Sequence, residues 1–507
     1  CRALVKAAEI PLLEPASVAE AKEMARVAFD LSEKLKLPVL IRATTRICHS
    51  SGAVRLGPIA PAGQKAEMGP QDRFITHPLF HPVLKKKLAG AAKAAEASPF
   101  NRYTGPAEAR RLIIASGVGA GYAQEAIASL GLADQVGLLK LGATFPLPAR
   151  LILDRLQTAE EVVFFEETDP FIEEGVMVLA AQHGPKLGPI RFHGQGTGEV
   201  AGAKGPGVGE LTPEIVVQSL SRLFGVEGLS SGFDDPAEAL ALLGGKLPKR
   251  ELTFCAGCPH RASFWAMRRA IKKHDQGAIV LGDIGCYTLA LARTGFHVLQ
   301  TTHCMGGGLG LANGLGQLGR FGLTSPVVAV LGDSTFFHAG LPALINAKHQ
   351  QANFLAVILD NLTTAMTGGQ PHPGRPTGAR GETAEAVEME SLIKGLGLPM
   401  AVQDPYDISA TTQLINDLLA ADGPRVLILR RECSLRATKA GGGPRMRVDP
   451  ERCDGCGLCS REFACPANVW DEAEEKAFID PTQCTGCGVC AQICPQGAIL
   501  VEGADES

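Results

Sequence analysis

Val327-Val-Ala-Val-Leu-Gly-Asp-Ser334 is an apolar run that ends in Gly-Asp, and Phe354-Leu-Ala-Val-Ile-Leu-Asp-Asn361 is a second one that ends in Asp-Asn. Each is the length of a strand, and a helix is expected between them over roughly Ala339–Gln350. In such a βαβ unit the C-terminal ends of both strands lie together, so Asp333 and Asn361 converge. One carboxylate, one amide oxygen and a nearby backbone carbonyl leave octahedral positions free for diphosphate oxygens around Mg²⁺. Gly332 would let a phosphate approach the backbone, and the helix N-terminus favours an anion. Gly-Asp alone would only end a strand in a turn. The spacing to Asn361 carries the reading.

The same alternation extends outward. From Thr253 to about Arg431, further strands are expected at Ala278–Leu281 and Arg425–Leu429. Upstream, strands are expected at Leu112–Ser116, Val136–Lys140 and Val162–Glu166. Alternation of this kind predicts an α/β chain with doubly wound parallel sheets and ligands at the C-terminal ends of the strands. Near the start, Ser17-Val-Ala-Glu20 is a capping box ahead of an amphipathic run to Lys36, and Pro38–Arg42 reads as a buried strand. Residues 57–106 and 225–250 read as linkers, residues 194–210 as Gly-rich, and Gly441–Pro444 as a hinge. The Gly117–Gly121 run reads as a helix-entry turn, because no ribose-binding acid completes a dinucleotide fingerprint.

The 507 residues correspond to three or four domains. With 45% hydrophobic and 20% charged residues, the chain can bury real cores. A net charge of −4 gives no reason to expect nucleic acid. No stretch approaches the roughly 20 apolar residues of a membrane span, and no signal-peptide pattern is present, so a cytoplasmic location is expected. The charge is uneven. From Val448 to Ser507 there are 12 acidic and three basic residues, which marks the tail as a distinct domain.

That tail holds eight of the 15 cysteines. Cys484-x2-Cys487-x2-Cys490-x3-Cys494-Pro495 has the bacterial ferredoxin spacing for a [4Fe–4S] cluster. Cys453-x2-Cys456-x2-Cys459-x5-Cys465-Pro466 repeats it with two extra residues before the last cysteine. The fourth cysteine of each run crosses to the other cluster. One cluster is therefore assigned to Cys453, Cys456, Cys459 and Cys494, the second to Cys484, Cys487, Cys490 and Cys465. Zinc also suits CxxC, but two full runs ending in Cys-Pro argue for iron–sulfur clusters and electron transfer. Cys48 and Cys304 have no partners at ligand spacing and are expected as buried core thiols. Cys1, at the chain's start, is uninformative, and the chain reads as beginning part-way through a domain.

The Gly-Asp…Asn arrangement resembles the thiamine diphosphate signature, with Ser334 in place of a second glycine. Phe254-Cys-Ala-Gly-Cys-Pro-His-Arg261, Gly282-Asp-Ile-Gly-Cys-Tyr287, Gly332–His338, Asp360–Gly368 and Gln370-Pro-His-Pro-Gly374 follow in order, ahead of the ferredoxin tail. Together they resemble the α subunits of indolepyruvate ferredoxin oxidoreductases over essentially the whole chain. The resemblance implies that Asp333, Asn361 and the carbonyl of Thr363 hold Mg²⁺. It places Gly332, Ser334, Thr367, Gly368, His260 and His372 around the cofactor. His49, His303 and His338 are read as structural. Cys255, Cys258, Cys286 and Cys433 match in order and context the ligands of a third, proximal [4Fe–4S] cluster, the alternatives being a structural zinc or buried thiols.

The implied domains are a pyrimidine-binding remnant at 1–57, a linker at 58–106 and a transketolase C-terminal-like domain at 107–225. A second linker covers 226–250, the diphosphate and Mg²⁺ domain 251–437, and an α+β ferredoxin domain with two clusters 445–507. The implied reaction is oxidative decarboxylation of an aryl pyruvate, with coenzyme A capturing the acyl group and electrons leaving through the clusters to ferredoxin. The implied partners are a β subunit and ferredoxin, in a dimer of heterodimers. The catalytic glutamate of the family belongs to sequence upstream of residue 1, so none is named, and the chain alone is expected to be inactive. Another 2-oxo acid substrate, an electron carrier with a non-catalytic thiamine diphosphate fold, and a non-oxidative decarboxylase are the alternatives.

Overall fold

Every residue of β10 (Val327–Gly332) and β11 (Leu355–Asp360) is buried, as two apolar runs inside a covered parallel sheet must be. The computed structural model describes residues 1–58, 74–201, 205, 208–226, 241–243, 251–274, 277–438 and 443–503; strands are numbered in chain order. The chain forms two units, Cys1–Lys246 and Leu247–Ser507.

In the second unit a five-stranded, all-parallel sheet runs in the order β12 (Met400–Gln403), β13 (Arg425–Arg430), β11, β10, β9 (Ile279–Leu281). Alternate residues feed opposite faces. Val328, Val330, Val357 and Leu427 join one core with Phe264 and Met267, while Ala329, Leu331, Ile358 and Ile428 join the other with Phe336 and Leu344. Each buried Val or Leu is worth roughly 1.5–3 kcal/mol, so the sheet centre is the stiffest part of the unit. In the β10–β11 register Gly332 opposes Leu359, which fixes where the two loops beyond them emerge. β12 has no counterpart among the expected strands. It is a half-buried edge, and its sequence lacks the long apolar run of the central strands.

The ferredoxin-like tail has two antiparallel pairs, β14 (Met446–Val448) with β17 (Ile499–Val501) and β15 (Asn468–Asp471) with β16 (Lys476–Ile479). It belongs to the same unit as the sheet rather than standing apart. Phe463, Val489 and Ile493 bury against Ala262, Trp265 and Ile408, and the Trp265 and Phe463 rings meet edge to face at 5.4 Å. A segment of some sixty residues has too little interior to cover such side chains by itself. The Gly441–Gly442 half of the expected hinge lies outside the described residues.

The first unit holds a five-stranded sheet ordered β3 (Arg102–Thr104), β5 (Val136–Leu141), β4 (Arg111–Ser116), β7 (Glu161–Phe165), β8 (Arg191–His193), parallel except at β3. The opening residues are built into it. β1 (Leu12–Leu13) pairs with β2 (Leu40–Ile41) and with β6 (Ala143–Phe145), and buried Arg2 bonds to Glu14 and Glu166. Ser17 caps the helix Val18–Leu35, although Glu20 reaches back to the amide of Ala16.

Three expectations need correction. The expected strand at Pro38–Arg42 pairs over two residues only and is half-buried. The expected linker at 58–106 contains a 16-residue helix, His81–Glu96, whose Ala, Leu and Lys are strong helix formers. Proline and glycine in its first part masked that signal, and 59–73 lie outside the described residues. Cys48 and Cys304 are exposed rather than core, one at the end of the short helix Thr45–Cys48 and the other in the loop before the helix Gly307–Leu315. Most of the linker expected at 225–250 also lies outside the described residues. Among the described residues no helix is long and apolar enough to cross a membrane.

Candidate active site and cysteine relay

The loops after β10 and β11 bring three oxygens together. The Asn361 side-chain oxygen stands 2.7 Å from the Thr363 carbonyl oxygen and 3.3 Å from Asp333 Oδ2. Three acceptors face one another with no donor among them. Adjacent oxygens on an octahedral Mg²⁺ with ligands at about 2.0–2.1 Å are about 3 Å apart, so the spacing fits that ion. Without a cation, the amide turned over would donate to both oxygens. In the unturned orientation all three oxygens could face a cation, and the Asn361 nitrogen lies 3.5 Å from His260 Nε2. Asp333 is further fixed by the amides of Ser334, at 2.7 Å, and Thr363, at 3.2 Å.

Two buried histidines flank this point. His260 lies at the start of the helix Pro259–Ile271, and burial holds its pKa down near 4 in spite of Asp333, so the ring is neutral. His372 accepts from the Gly374 amide through Nδ1 and therefore carries its proton on Nε2, 3.2 Å from Asp333 Oδ2. That contact lies off the hydrogen-bond direction, which leaves Nε2 without a bonded partner.

His260, Cys286, Tyr287, Asp333, Ser334, Asn361, Thr363 and Thr367 line one cleft, together with Met305 and Met366. Gly368 is outside that lining, in an exposed turn where Thr367 bonds Gln370. Gly332 lines the cleft as well. A Cβ there would meet the Tyr287 ring at 2.9 Å, so glycine also makes room for protein packing. Tyr287 in turn donates to buried Asp283, which also accepts from the Gly306 amide. Burial raises the Asp283 carboxyl to about 6. Asp283 and Tyr287 were visible in the Gly282–Tyr287 stretch, but nothing in that stretch showed that they bond to each other. Past Asp333 the chain makes a π-helical turn, Phe336–Gly340, before the helix Leu341–Gln350, a feature frequent at functional sites.

Cys255, Cys258, Cys286 and Cys433 gather beside this cleft. Burial raises the Cys286 thiol to about 11, and Cys255 and Cys433 lie close enough to add to the shift. Cys258 is raised to about 12, mainly by burial, with Cys255 a nearby contributor. The Cys433 amide donates to the Asn361 carbonyl at 3.1 Å, so the thiol loop and the oxygen cluster share one backbone link.

The tail thiols fall into two groups. Cys453, Cys456, Cys459 and Cys494 line one cavity. Cys465, Cys484, Cys487 and Cys490 line another, and Cys258 lines that one too. Among the described residues no three His, Cys, Asp or Glu side chains converge tightly enough for a single metal ion. Thiols that ring a cavity suit a cube in which each binds a different iron. Cys286 borders the cleft and Cys258 the cavity of Cys465, Cys484, Cys487 and Cys490, so the thiols form a series from the cleft into the tail.

Residues 283–429 match the family model described as thiamine pyrophosphate enzyme, C-terminal TPP binding domain, and residues 445–495 match the 4Fe-4S dicluster domain. Indolepyruvate oxidoreductase subunit IorA of Pyrococcus horikoshii is 38% identical over 98% of this chain and 78% of its own length. The chain belongs to the IorA family of indolepyruvate oxidoreductase subunits. The IorA of Methanothermobacter marburgensis is 37% identical over 99% of this chain and 78% of its own length. A 2-oxoglutarate:ferredoxin oxidoreductase structure from Magnetococcus marinus aligns at 18% identity with a TM-score of 0.31, over 37% of this chain and 66% of that one. As an IorA-family member, the chain is a subunit of a thiamine diphosphate-dependent 2-oxoacid oxidoreductase with an iron–sulfur domain.

Proposed function

We propose that this chain is the subunit that oxidatively decarboxylates aryl pyruvates. Indole-3-pyruvate, coenzyme A and two oxidised ferredoxins give indoleacetyl-CoA, CO2, a proton and two reduced ferredoxins. The observation that carries the proposal is the backbone bond from Cys433 to Asn361, which ties the candidate cofactor site to the first thiols of the series. Thiamine diphosphate, when bound, supplies the nucleophilic carbon and electron sink for decarboxylation. Asp333, Asn361 and the Thr363 carbonyl would hold the Mg²⁺ that neutralises its diphosphate. Neutral His260 and the Nε2–H of His372 would keep the carboxylate and amide of that site oriented. Met305, Met366 and Tyr287 would line the approach and exclude water.

Electrons would pass from a proximal cluster on Cys255, Cys258, Cys286 and Cys433 to the cluster on Cys465, Cys484, Cys487 and Cys490. They would leave through the one on Cys453, Cys456, Cys459 and Cys494, where Cys456 is exposed. A β subunit and a ferredoxin acceptor are the proposed partners, and a dimer of heterodimers the proposed assembly. The test is turnover of indolepyruvate, phenylpyruvate, pyruvate and 2-oxoglutarate by the complete complex. Preference for the two aryl acids is expected, and preference for pyruvate overturns the assignment.

A further inference from the structure

Arg261 is almost completely buried at the start of the helix Pro259–Ile271. Its Nη1 donates to the Phe463 carbonyl at 2.7 Å, and its Nη2 donates to the Phe254 carbonyl at 2.6 Å and to Thr253 Oγ1 at 2.9 Å. The Phe254 and Phe463 rings flank it, each with its centre 5.6 Å from the guanidinium carbon. These bonded partners are two carbonyls and a hydroxyl, none of them charged. The Nε–H is buried and has no partner. A buried cation without a counter-charge is strongly disfavoured, and a buried donor left unbonded adds to that cost.

The counter-charge is within reach in chemical terms. Arg261 lines the cavity shared by Cys258, Cys465, Cys484 and Cys487. A four-iron cube with four thiolates is a dianion when oxidised and a trianion when reduced, and its potential responds to nearby charge and to hydrogen bonds on sulfur. An arginine cannot give up its charge at any ordinary pH.

Taking the cluster assignment of the preceding section as given, we propose that Arg261 is the fixed cation between two cluster sites. It stabilises the reduced state of the cluster on Cys465, Cys484, Cys487 and Cys490, and so draws each electron from the Cys255–Cys258 side into the tail. It touches no substrate. It is a positioning residue that acts through the cluster, with its free Nε–H as the donor to cluster sulfur.

The test is redox titration of the complete complex followed by electron paramagnetic resonance, on wild type, Arg261→Gln, Arg261→Lys and Arg268→Gln, each with its iron and sulfide counted. Arg268 is a cation on the same helix outside that cavity, paired at 3.4 Å with Glu462. Arg261→Gln is expected to lower the tail-cluster potential by at least a tenfold change in the ratio of reduced to oxidised cluster at fixed poise, or about 59 mV for a one-electron couple. Arg261→Lys, which offers a cation but not the Nε–H, is expected to fall between Arg261→Gln and wild type, and Arg268→Gln to stay near wild type. Full iron with an unmoved potential in Arg261→Gln overturns the proposal alone. A Gln variant that cannot hold iron makes Arg261 a scaffold residue and also overturns it. A wild-type tail without clusters overturns the cluster assignment first, and the proposal with it.

Discussion

The Asn361 amide oxygen and Asp333 Oδ2 stand 3.3 Å apart, although 27 residues separate them in the chain. Two acceptors that close, with the Thr363 carbonyl as a third, repel one another unless a cation lies among them or the amide turns over to donate to both. Asp333→Ala is therefore expected to abolish Mg²⁺-dependent binding of thiamine diphosphate in the complete complex. His372→Ala, which removes a group beside Asp333 rather than a ligand, should weaken it by about 10–100-fold. Calorimetric titration of cofactor with and without Mg²⁺ measures both. Wild-type affinity in Asp333→Ala would mean that the cofactor and Mg²⁺ are not held through Asp333.

The parts of this site that the sequence displayed share one property: they are short-range. Val327–Ser334 and Phe354–Asn361 each announce a buried strand and its polar end, and parallel pairing does the rest. The tail cysteines are legible for the same reason, because loops of two residues leave few ways to surround a cube. What stayed hidden depends on contacts between distant segments. Arg261 reads as one more helix arginine until Phe463, two hundred residues on, accepts its bond. Tyr287 packs against Gly332 where a Cβ would stand, a contact that no local pattern announces. The helix His81–Glu96 was lost for a compositional reason, its neighbours' prolines and glycines outweighing its own alanines.

Iron content tests the proximal thiols. With three four-iron clusters the anaerobically purified chain should hold about twelve iron, against about eight with the tail pair alone. Cys286→Ser is expected to lower the count by four while leaving the tail signals intact. Unchanged iron in that variant would leave Cys255, Cys258, Cys286 and Cys433 as free thiols without a cluster.

Docking of the tail turns on a close approach. Gly257 has φ +66°, and a Cβ there would meet Thr485 Oγ1 at 1.9 Å, so the loop of Cys255–Cys258 lies directly against that of Cys484–Cys487. Tyr406 holds the same loop by donating to the Gly257 carbonyl. Gly257→Val combines a left-handed backbone, which costs such a residue about 1–3 kcal/mol, with a clash. It should lower the melting temperature and slow ferredoxin reduction more than it slows decarboxylation. Equal losses in both rates would show that the variant disturbs the whole unit instead.

In the first unit, Arg2 is shared between two carboxylates. It donates Nε and Nη2 to Glu14, at 3.0 and 2.9 Å, and Nη1 to Glu166 at 2.6 Å. Burial pushes both carboxyls up, but Glu14 has a second arginine, Arg42, and ends below the ordinary range. Glu166 has only its share of Arg2 and the amides of Ile172 and Glu173, and burial lifts it from 4.5 to about 7. Between those values the folded chain binds the extra proton, so the stability Glu166 contributes is complete below pH 4.5 and is lost as pH rises through 7. A shift of that size corresponds to about 3 kcal/mol. Glu166→Gln cannot titrate. The stability difference between wild type and Glu166→Gln should therefore move against wild type as pH rises from about 5.5 to about 8, most steeply below 7. Denaturant unfolding at a series of pH values reads it, and a difference that stays flat across that window would mean that Arg2 and the helix amides keep Glu166 ionised throughout.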